Sequence, residues 1–183
     1  MRTRLLTLLV LAAIFGALLV DQAQAQTPYE GTADTAAIQG ILAAHRSPIP
    51  WWTVAAFKAN NPTFDVAGFL AVAWAESSLG KAGRLHNIGS IKGGPIGTLW
   101  RDLRVGVTRS GYNRYPDIRA GTRAAIRLIW ERGYNAQLAA HNFSGFADRY
   151  YGRYVPGKHQ YIRTLKAAHL IIVREAAAYG AAW

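Results

Sequence analysis

The chain has 183 residues, a formal net charge of +11 at pH 7 and no cysteine. Without cysteine, a disulfide framework and a thiol nucleophile are both excluded, so packing alone must hold the fold together. The excess of lysine and arginine indicates an anionic partner, and the alternative is a solvated basic surface that binds nothing.

The first 25 residues have the three parts of a secretory signal peptide. Arg2 and Arg4 precede an apolar run over residues 5–20, and the small-residue site Ala23-Gln24-Ala25 follows it. The run is shorter than the ~20 apolar residues that a membrane-spanning helix needs. We therefore expect export to the periplasm or the exterior and a single mature domain over residues 26–183. Cell-wall polymers and anionic lipids are then the expected polyanions, and nucleic acid is not.

Apolar spacing and capping residues predict seven helices in chain order. They cover residues 33–45, residues 51–60, a segment from Thr63 or Asp65 to Leu79-Gly80, and residues 118–132, 135–142, 144–153 and 158–179. The third helix is apolar nearly all round, which is typical of a central buried helix. Glycine is dense between Gly83 and Pro116, where we predict a loop and an antiparallel hairpin that pairs Gly97–Arg104 with Gly106–Tyr115. The predicted class is mainly α with one small hairpin.

The third helix ends in the sequence AVAWAESSLGKAG, residues 71–83, whose one carboxylate is Glu76. Burial disfavours a charged carboxyl group, and the negative end of the helix dipole disfavours it again, so both effects raise its pKa. Glycosidic cleavage needs such an acid, because the leaving oxygen must receive a proton. The alternative is a surface salt bridge between Glu76 and Lys81 or Arg84, which would contribute little.

The segment FLAVAWAESSLGKAGRLHNIGSIKGG, residues 69–94, resembles the bacterial endo-β-N-acetylglucosaminidase branch (mannosyl-glycoprotein endo-β-N-acetylglucosaminidase-like) of the lysozyme-like superfamily. In that branch a buried helix ends in a catalytic Glu and a Ser, and an Asn-x-x-Gly-Ile-Lys type of segment follows a short loop. Glu76-Ser77 and the segment from Asn87 to Lys92 occur here in that order. Tyr115-Pro116-Asp117 is similar to the family's strand leading into the next helix. Lytic transglycosylases and phage murein hydrolases share the helix-Glu-Ser-x-x-Gly part.

The resemblance, which covers about residues 52–168, implies a lysozyme-like α+β fold that cleaves the glycan strands of peptidoglycan, with the hairpin beside the sugar cleft. Glu76 would be the general acid, and Ser77 would steady the helix end or the acid itself. The floor of the cleft would include Asn87, Ile91 and Lys92. Pyranose rings stack on aromatic side chains, so the cleft is also expected to include Tyr112, Tyr115, Trp100 and Tyr151, for which core packing is the alternative.

A second carboxylate usually rises from the hairpin in the resembled hydrolases, and this hairpin offers only Asp102. Asp117 is the other nearby acid, with helix capping as its expected role. Three mechanisms stay open: Asp102 activates water, the substrate's N-acetyl group attacks, or a transglycosylase with Glu76 alone releases an anhydro sugar. We favour the first. The alternatives from other classes are a non-catalytic peptidoglycan-binding domain and a cationic membrane-active protein.

The five histidines show no spacing typical of metal ligands, so neither a metal site nor a cofactor is predicted. Arginines 101, 104, 109 and 114 lie in and around the predicted hairpin. They would contact an anionic wall or membrane surface in a salt-dependent way, and a solvated hairpin surface is the alternative.

Overall fold

The computed structural model describes residues 31–82, 86–92 and 103–183. These residues form seven helices and one two-stranded antiparallel sheet, so the predicted mainly helical class with a small sheet is confirmed. The helices are α1 (Ala33–Ala44), α2 (Trp51–Asn60), α3 (Val66–Ser77), α4 (Ile118–Glu131), α5 (Tyr134–Ala139), α6 (Phe143–Tyr150) and α7 (Lys158–Ala177). The strands are β1 (Gly106–Val107) and β2 (Asn113–Arg114). The predicted leader, Arg84, Trp100, Arg101 and Asp102 lie outside the described residues.

Side-chain caps determine where several helices begin. The Asp65 carboxylate accepts a hydrogen bond from the backbone N–H of Gly68 at 2.9 Å, at the start of α3. Asp117 does the same for Ala120 at 2.7 Å, at the start of α4. Such caps satisfy N–H groups that have no partner inside the helix. The predicted capping role of Asp117 is therefore confirmed.

Helix α3 is the centre of the core. Eight consecutive residues, Val66 to Ala73, are buried, as the apolar sequence predicted, and α3 makes its most extensive helix contact with α7. All seven described helices contribute side chains to one continuous hydrophobic cluster. Glu76 therefore lies at the end of the most buried helix. None of the helices described here is long and apolar enough to cross a lipid bilayer.

The predicted register of the hairpin is wrong. Gly106 pairs with Arg114 and Val107 with Asn113, so both strands lie inside the segment predicted as the second strand. The chain reverses between them at Gly111, whose φ of +84° is a left-handed value that favours glycine. Residues 103–104 form no strand, and residues 97–102 lie outside the described part of the chain.

Candidate active site

The carboxyl group of Glu76 lies in a largely apolar setting at the end of α3. The residue is half-buried, and its Oε1 atom is fully buried without a hydrogen bond of standard geometry from any described residue. Burial raises the pKa of Glu76, whereas the Tyr161 hydroxyl and the Ser90 side chain lower it by less. Glu76 and Lys81 form no ion pair in the described structure. The carboxyl group therefore stays protonated to a higher pH than an ordinary glutamate.

The backbone turns sharply directly after this acid. Ser78, Leu79 and Gly80 have φ values of +51°, +57° and +83°, three left-handed residues in a row of which two are not glycine. The N–H of Leu79 donates to the carbonyl of Ala73 at 3.0 Å, which closes the helix end. Left-handed conformations at residues with a side chain are strained, and such strain is concentrated at functional sites.

The Ser77 hydroxyl holds this turn against the following loop. Its oxygen accepts a hydrogen bond from the N–H of Gly80 at 2.9 Å. Its proton is shared between the carbonyl oxygens of Ala73 and Ile88, at 2.9 and 2.8 Å. The proton and one acceptor site of the hydroxyl are thus used within the protein, at the helix end.

Asn87 joins the loop to the hairpin. Its side-chain oxygen accepts a hydrogen bond from the N–H of Ile91 at 2.8 Å. Its amide group donates to the carbonyl oxygens of Ile91 at 2.8 Å and Asn113 at 3.1 Å. Asn113 in turn donates to the hydroxyl of Tyr115 at 3.3 Å. The loop and the hairpin are therefore locked together by a buried amide network beneath the surface.

Three of the side chains predicted to lie along the cleft, Asn87, Ile91 and Tyr115, are buried, and so is Ser77. Their exposed fractions are 2% for Ser77, 5% for Asn87, 4% for Ile91 and 3% for Tyr115. Because they are buried and their polar atoms have partners inside the protein, they support the site from below and present nothing to a ligand.

The two remaining predicted binding residues, Lys92 and Tyr112, are exposed and adjacent. They form an isolated antiparallel bridge that connects the loop to the hairpin. The Lys92 ammonium lies over the Tyr112 ring, 4.8 Å from its centroid. Such a cation–π pair holds both side chains in place on the surface. These two residues can still contact a ligand.

A stack of tyrosine rings flanks Glu76, and only its outer member was predicted. The ring of Tyr161 lies between those of Tyr150, at 6.5 Å, and Tyr151, at 4.8 Å, all three nearly parallel. The Tyr150 hydroxyl donates a hydrogen bond to the carbonyl of Gly89. Burial raises the pKa of both Tyr150 and Tyr161, and the charge of Glu76 raises it further, so both phenols stay neutral.

Tyr161 is the residue near Glu76 that the sequence reasoning missed, because it lies in the last predicted helix, far from Glu76 along the chain. Tyr151 was predicted as a cleft aromatic, and the residue is 39% exposed at the outer end of the stack. A signal was present in the adjacent pair Tyr150-Tyr151 followed by Tyr161 at the start of α7. The stack offers one exposed ring face beside a buried proton donor.

The described groups that alter the pKa of Glu76 are hydroxyls, and no carboxylate is among them. The predicted partner, Asp102, lies outside the described residues. Within the described ranges, no group of three or more histidine, aspartate and glutamate side chains could hold a metal ion. The arrangement can donate a proton to a group brought against the exposed side of Glu76. No family model, curated protein or solved structure matches this chain.

Proposed function

We propose that the protein is an exported, lysozyme-like glycoside hydrolase that cleaves the glycan strands of peptidoglycan, with Glu76 as general acid. The observation that carries the proposal is the buried Glu76 Oε1 atom, which accepts no standard hydrogen bond among the described residues and whose surroundings raise the pKa of the carboxyl group. The motif from Glu76 to Lys92 and the basic charge of +11 support the wall as substrate.

In the proposed reaction, protonated Glu76 gives its proton to the glycosidic oxygen as the bond to the anomeric carbon breaks. The carboxylate that forms is stabilised by the Tyr161 hydroxyl, since this hydroxyl favours the charged form of Glu76. A water molecule then adds to the anomeric carbon and loses a proton to a base, for which Asp102 is the candidate. The exposed ring of Tyr151 offers a stacking face for a sugar.

A lytic transglycosylase is the second candidate, and one observation favours it. Asp117, one of the two acids considered as the helper, is occupied as a helix cap. In that reaction a hydroxyl of the substrate attacks in place of water. Glu76 then acts first as acid and afterwards as base, and the product is an anhydro sugar.

The deciding experiment compares the mature protein with Glu76→Gln and the matched control Glu131→Gln, an exposed glutamate at the end of α4. Each protein is incubated with purified sacculi, and turbidity and the masses of released sugars are recorded. We expect clearing by wild type and Glu131→Gln, and a loss of about a hundredfold or more in Glu76→Gln, because general acid catalysis typically contributes that much. Equal clearing by all three proteins would remove Glu76 from the mechanism.

The released sugars separate the remaining alternatives. Reducing ends indicate hydrolysis, and anhydro ends indicate a transglycosylase. A parallel Asp102→Asn variant tests the helper, since unchanged activity would exclude it. Wild type that sediments with sacculi without clearing them would identify a non-catalytic wall-binding domain.

A further inference from the structure

A continuous groove runs along α7 on a different side from Tyr161. One part of it, about 370 Å³, is lined by Trp74 and by α7 residues from Gln160 to Ile171. The other part, about 610 Å³, lies between the loop after α6 and the start of α7. Both parts share Gln160 and Arg163, so they adjoin at this turn of α7. Volumes of several hundred Å³ are typical of ligand sites.

The two parts of the groove differ in chemistry. The part near Trp74 has an apolar lining that includes Ala167, Ala168 and Ile171. The other part carries the guanidinium groups of Arg153 and Arg163 next to apolar residues of the loop, and its Lys158 is paired with Asp148 at 2.7 Å. No acidic side chain lines either part among the described residues. A ligand that combines apolar groups with negative charge therefore complements this groove.

Arg163 lies where the two parts meet and is held in place there. Its guanidinium donates a hydrogen bond to the side-chain oxygen of Gln160 at 2.5 Å, one turn earlier on α7. Arginine has five N–H donors, so most of them remain for a ligand. A planar guanidinium that is already oriented suits a carboxylate, which it can bind through two parallel hydrogen bonds.

The length of the groove suits an extended chain. From His159 to Ile171 the helix rises by about 18 Å at 1.5 Å per residue. An extended peptide covers that distance with about five or six residues.

We infer that this groove binds an extended, carboxylate-bearing peptide, with a carboxylate on Arg163 and an apolar side chain against Trp74. Peptidoglycan stem peptides combine alanine with carboxylate-bearing residues, so on the proposed substrate the occupant is the stem peptide. That last identification rests on the proposed function, whereas the binding of an acidic peptide does not.

The test measures the fluorescence anisotropy of a labelled hexapeptide of alternating alanine and glutamate, mixed with the full mature chain. Arg163→Gln should weaken binding about tenfold, the usual effect of losing a charge-assisted hydrogen bond. Arg174→Gln, an exposed arginine on α7 outside the groove, should change it less than about twofold. Ala167→Leu fills the groove without changing charge and should weaken binding, whereas the equally exposed Ala177→Leu should not.

Several results would overturn the inference: no binding, equal losses in Arg163→Gln and Arg174→Gln, no effect of Ala167→Leu, or equal binding of a glutamine version of the peptide. Displacement of the peptide by chitohexaose would assign the groove to glycan. The peptide has no glycosidic bond, so Glu76→Gln should bind it like wild type. If the wild-type protein clears sacculi but does not bind the peptide, this inference alone is refuted. If it binds the peptide but does not clear sacculi, only the proposed function is refuted.

Discussion

Glu76 and Tyr161 face each other where α3 packs against α7, and the Tyr161 hydroxyl opposes the rise in the pKa of the carboxyl group that burial causes. Both residues have a buried oxygen without a standard hydrogen bond among the described residues. The protonation of the candidate acid is therefore governed by helix packing, with no described ion pair to Glu76. The environment of the Glu76 carboxyl group can be altered by removing one oxygen atom, that of the Tyr161 hydroxyl.

Tyr161→Phe should extend activity to higher pH. The reaction needs protonated Glu76, so the clearing rate falls as the pH rises through the raised pKa of this group. The Tyr161 hydroxyl stabilises the anion, and its removal raises the pKa further. In a plot of the rate of sacculus clearing against pH, the alkaline limb should move to higher pH. Tyr179→Phe, an exposed tyrosine after α7, should leave the limb in place. A downward displacement in Tyr161→Phe would contradict the assignment.

Glu76→Gln should be more stable than wild type at pH 7, although it is less active. The pKa of Glu76 is raised above 4.5 in the folded state, so between 4.5 and the folded value the folded chain binds more protons than the unfolded chain. Stability therefore falls as the pH rises through this window, and glutamine removes the loss.

Thermal unfolding at pH 7 and at pH 3.5 measures this effect. The difference between Glu76→Gln and wild type should be present at pH 7 and small at pH 3.5, below both pKa values. Glu131→Gln, where the side chain is exposed, should show no comparable difference. A variant that is less stable than wild type at pH 7 would show that the Glu76 anion is stabilised in the folded protein.

Ser77→Ala should lower the free energy of unfolding by about 2 kcal/mol, within the range for leaving a buried polar group unpaired. The substitution removes the acceptor of the Gly80 N–H and the donor to the Ile88 carbonyl. Urea unfolding of this variant, compared with the exposed Ser144→Ala, measures the change. Activity should fall as well, because the turn after Glu76 loses its attachment to the loop. Unchanged stability together with weaker glycan binding would instead assign Ser77 a contact with substrate.

The helices could be predicted from the sequence because their signals are local. Apolar periodicity and caps such as Asp65 and Asp117 act within a few residues. The hairpin register was wrong because several glycines could have formed the turn; among those that the structure describes between residues 86 and 116, Gly111 is the one with a left-handed φ. The neighbourhood of Glu76 was only partly predictable, since Tyr161 reaches it through packing of distant segments.

The sequence also did not allow us to predict which side chains of the loop are buried. The family resemblance placed Asn87 and Ile91 in the floor of the cleft, but it did not reveal whether their side chains face the interior. The hydrogen bonds of Asn87 to Ile91 and to Asn113 hold its side chain towards the interior. An asparagine that an apolar residue follows four positions later is compatible both with a contact to a ligand and with a buried position that supports the site.

Gly121→Ala should be destabilising even though alanine normally stabilises a helix. In an ordinary helix position the change gains about 0.5–1 kcal/mol. Here a Cβ atom on Gly121 would lie 1.7 Å from the backbone carbonyl oxygen of His86, which cannot rotate away as a side chain can. The start of α4 would have to move off the loop, at a cost of about 1–3 kcal/mol, which is typical of overpacking.

Gly106→Ala is the matched control for that prediction, because its Cβ atom would meet only the Arg114 side chain at 3.8 Å, an ordinary contact. Urea unfolding should rank Gly121→Ala below wild type and place Gly106→Ala within about 0.5 kcal/mol of it. Displacing His86 also moves the loop whose Gly89 carbonyl accepts the Tyr150 hydrogen bond. Clearing of sacculi by Gly121→Ala should therefore fall at temperatures where the variant is still folded. A stabilised, fully active Gly121→Ala would mean that α4 does not approach the loop this closely.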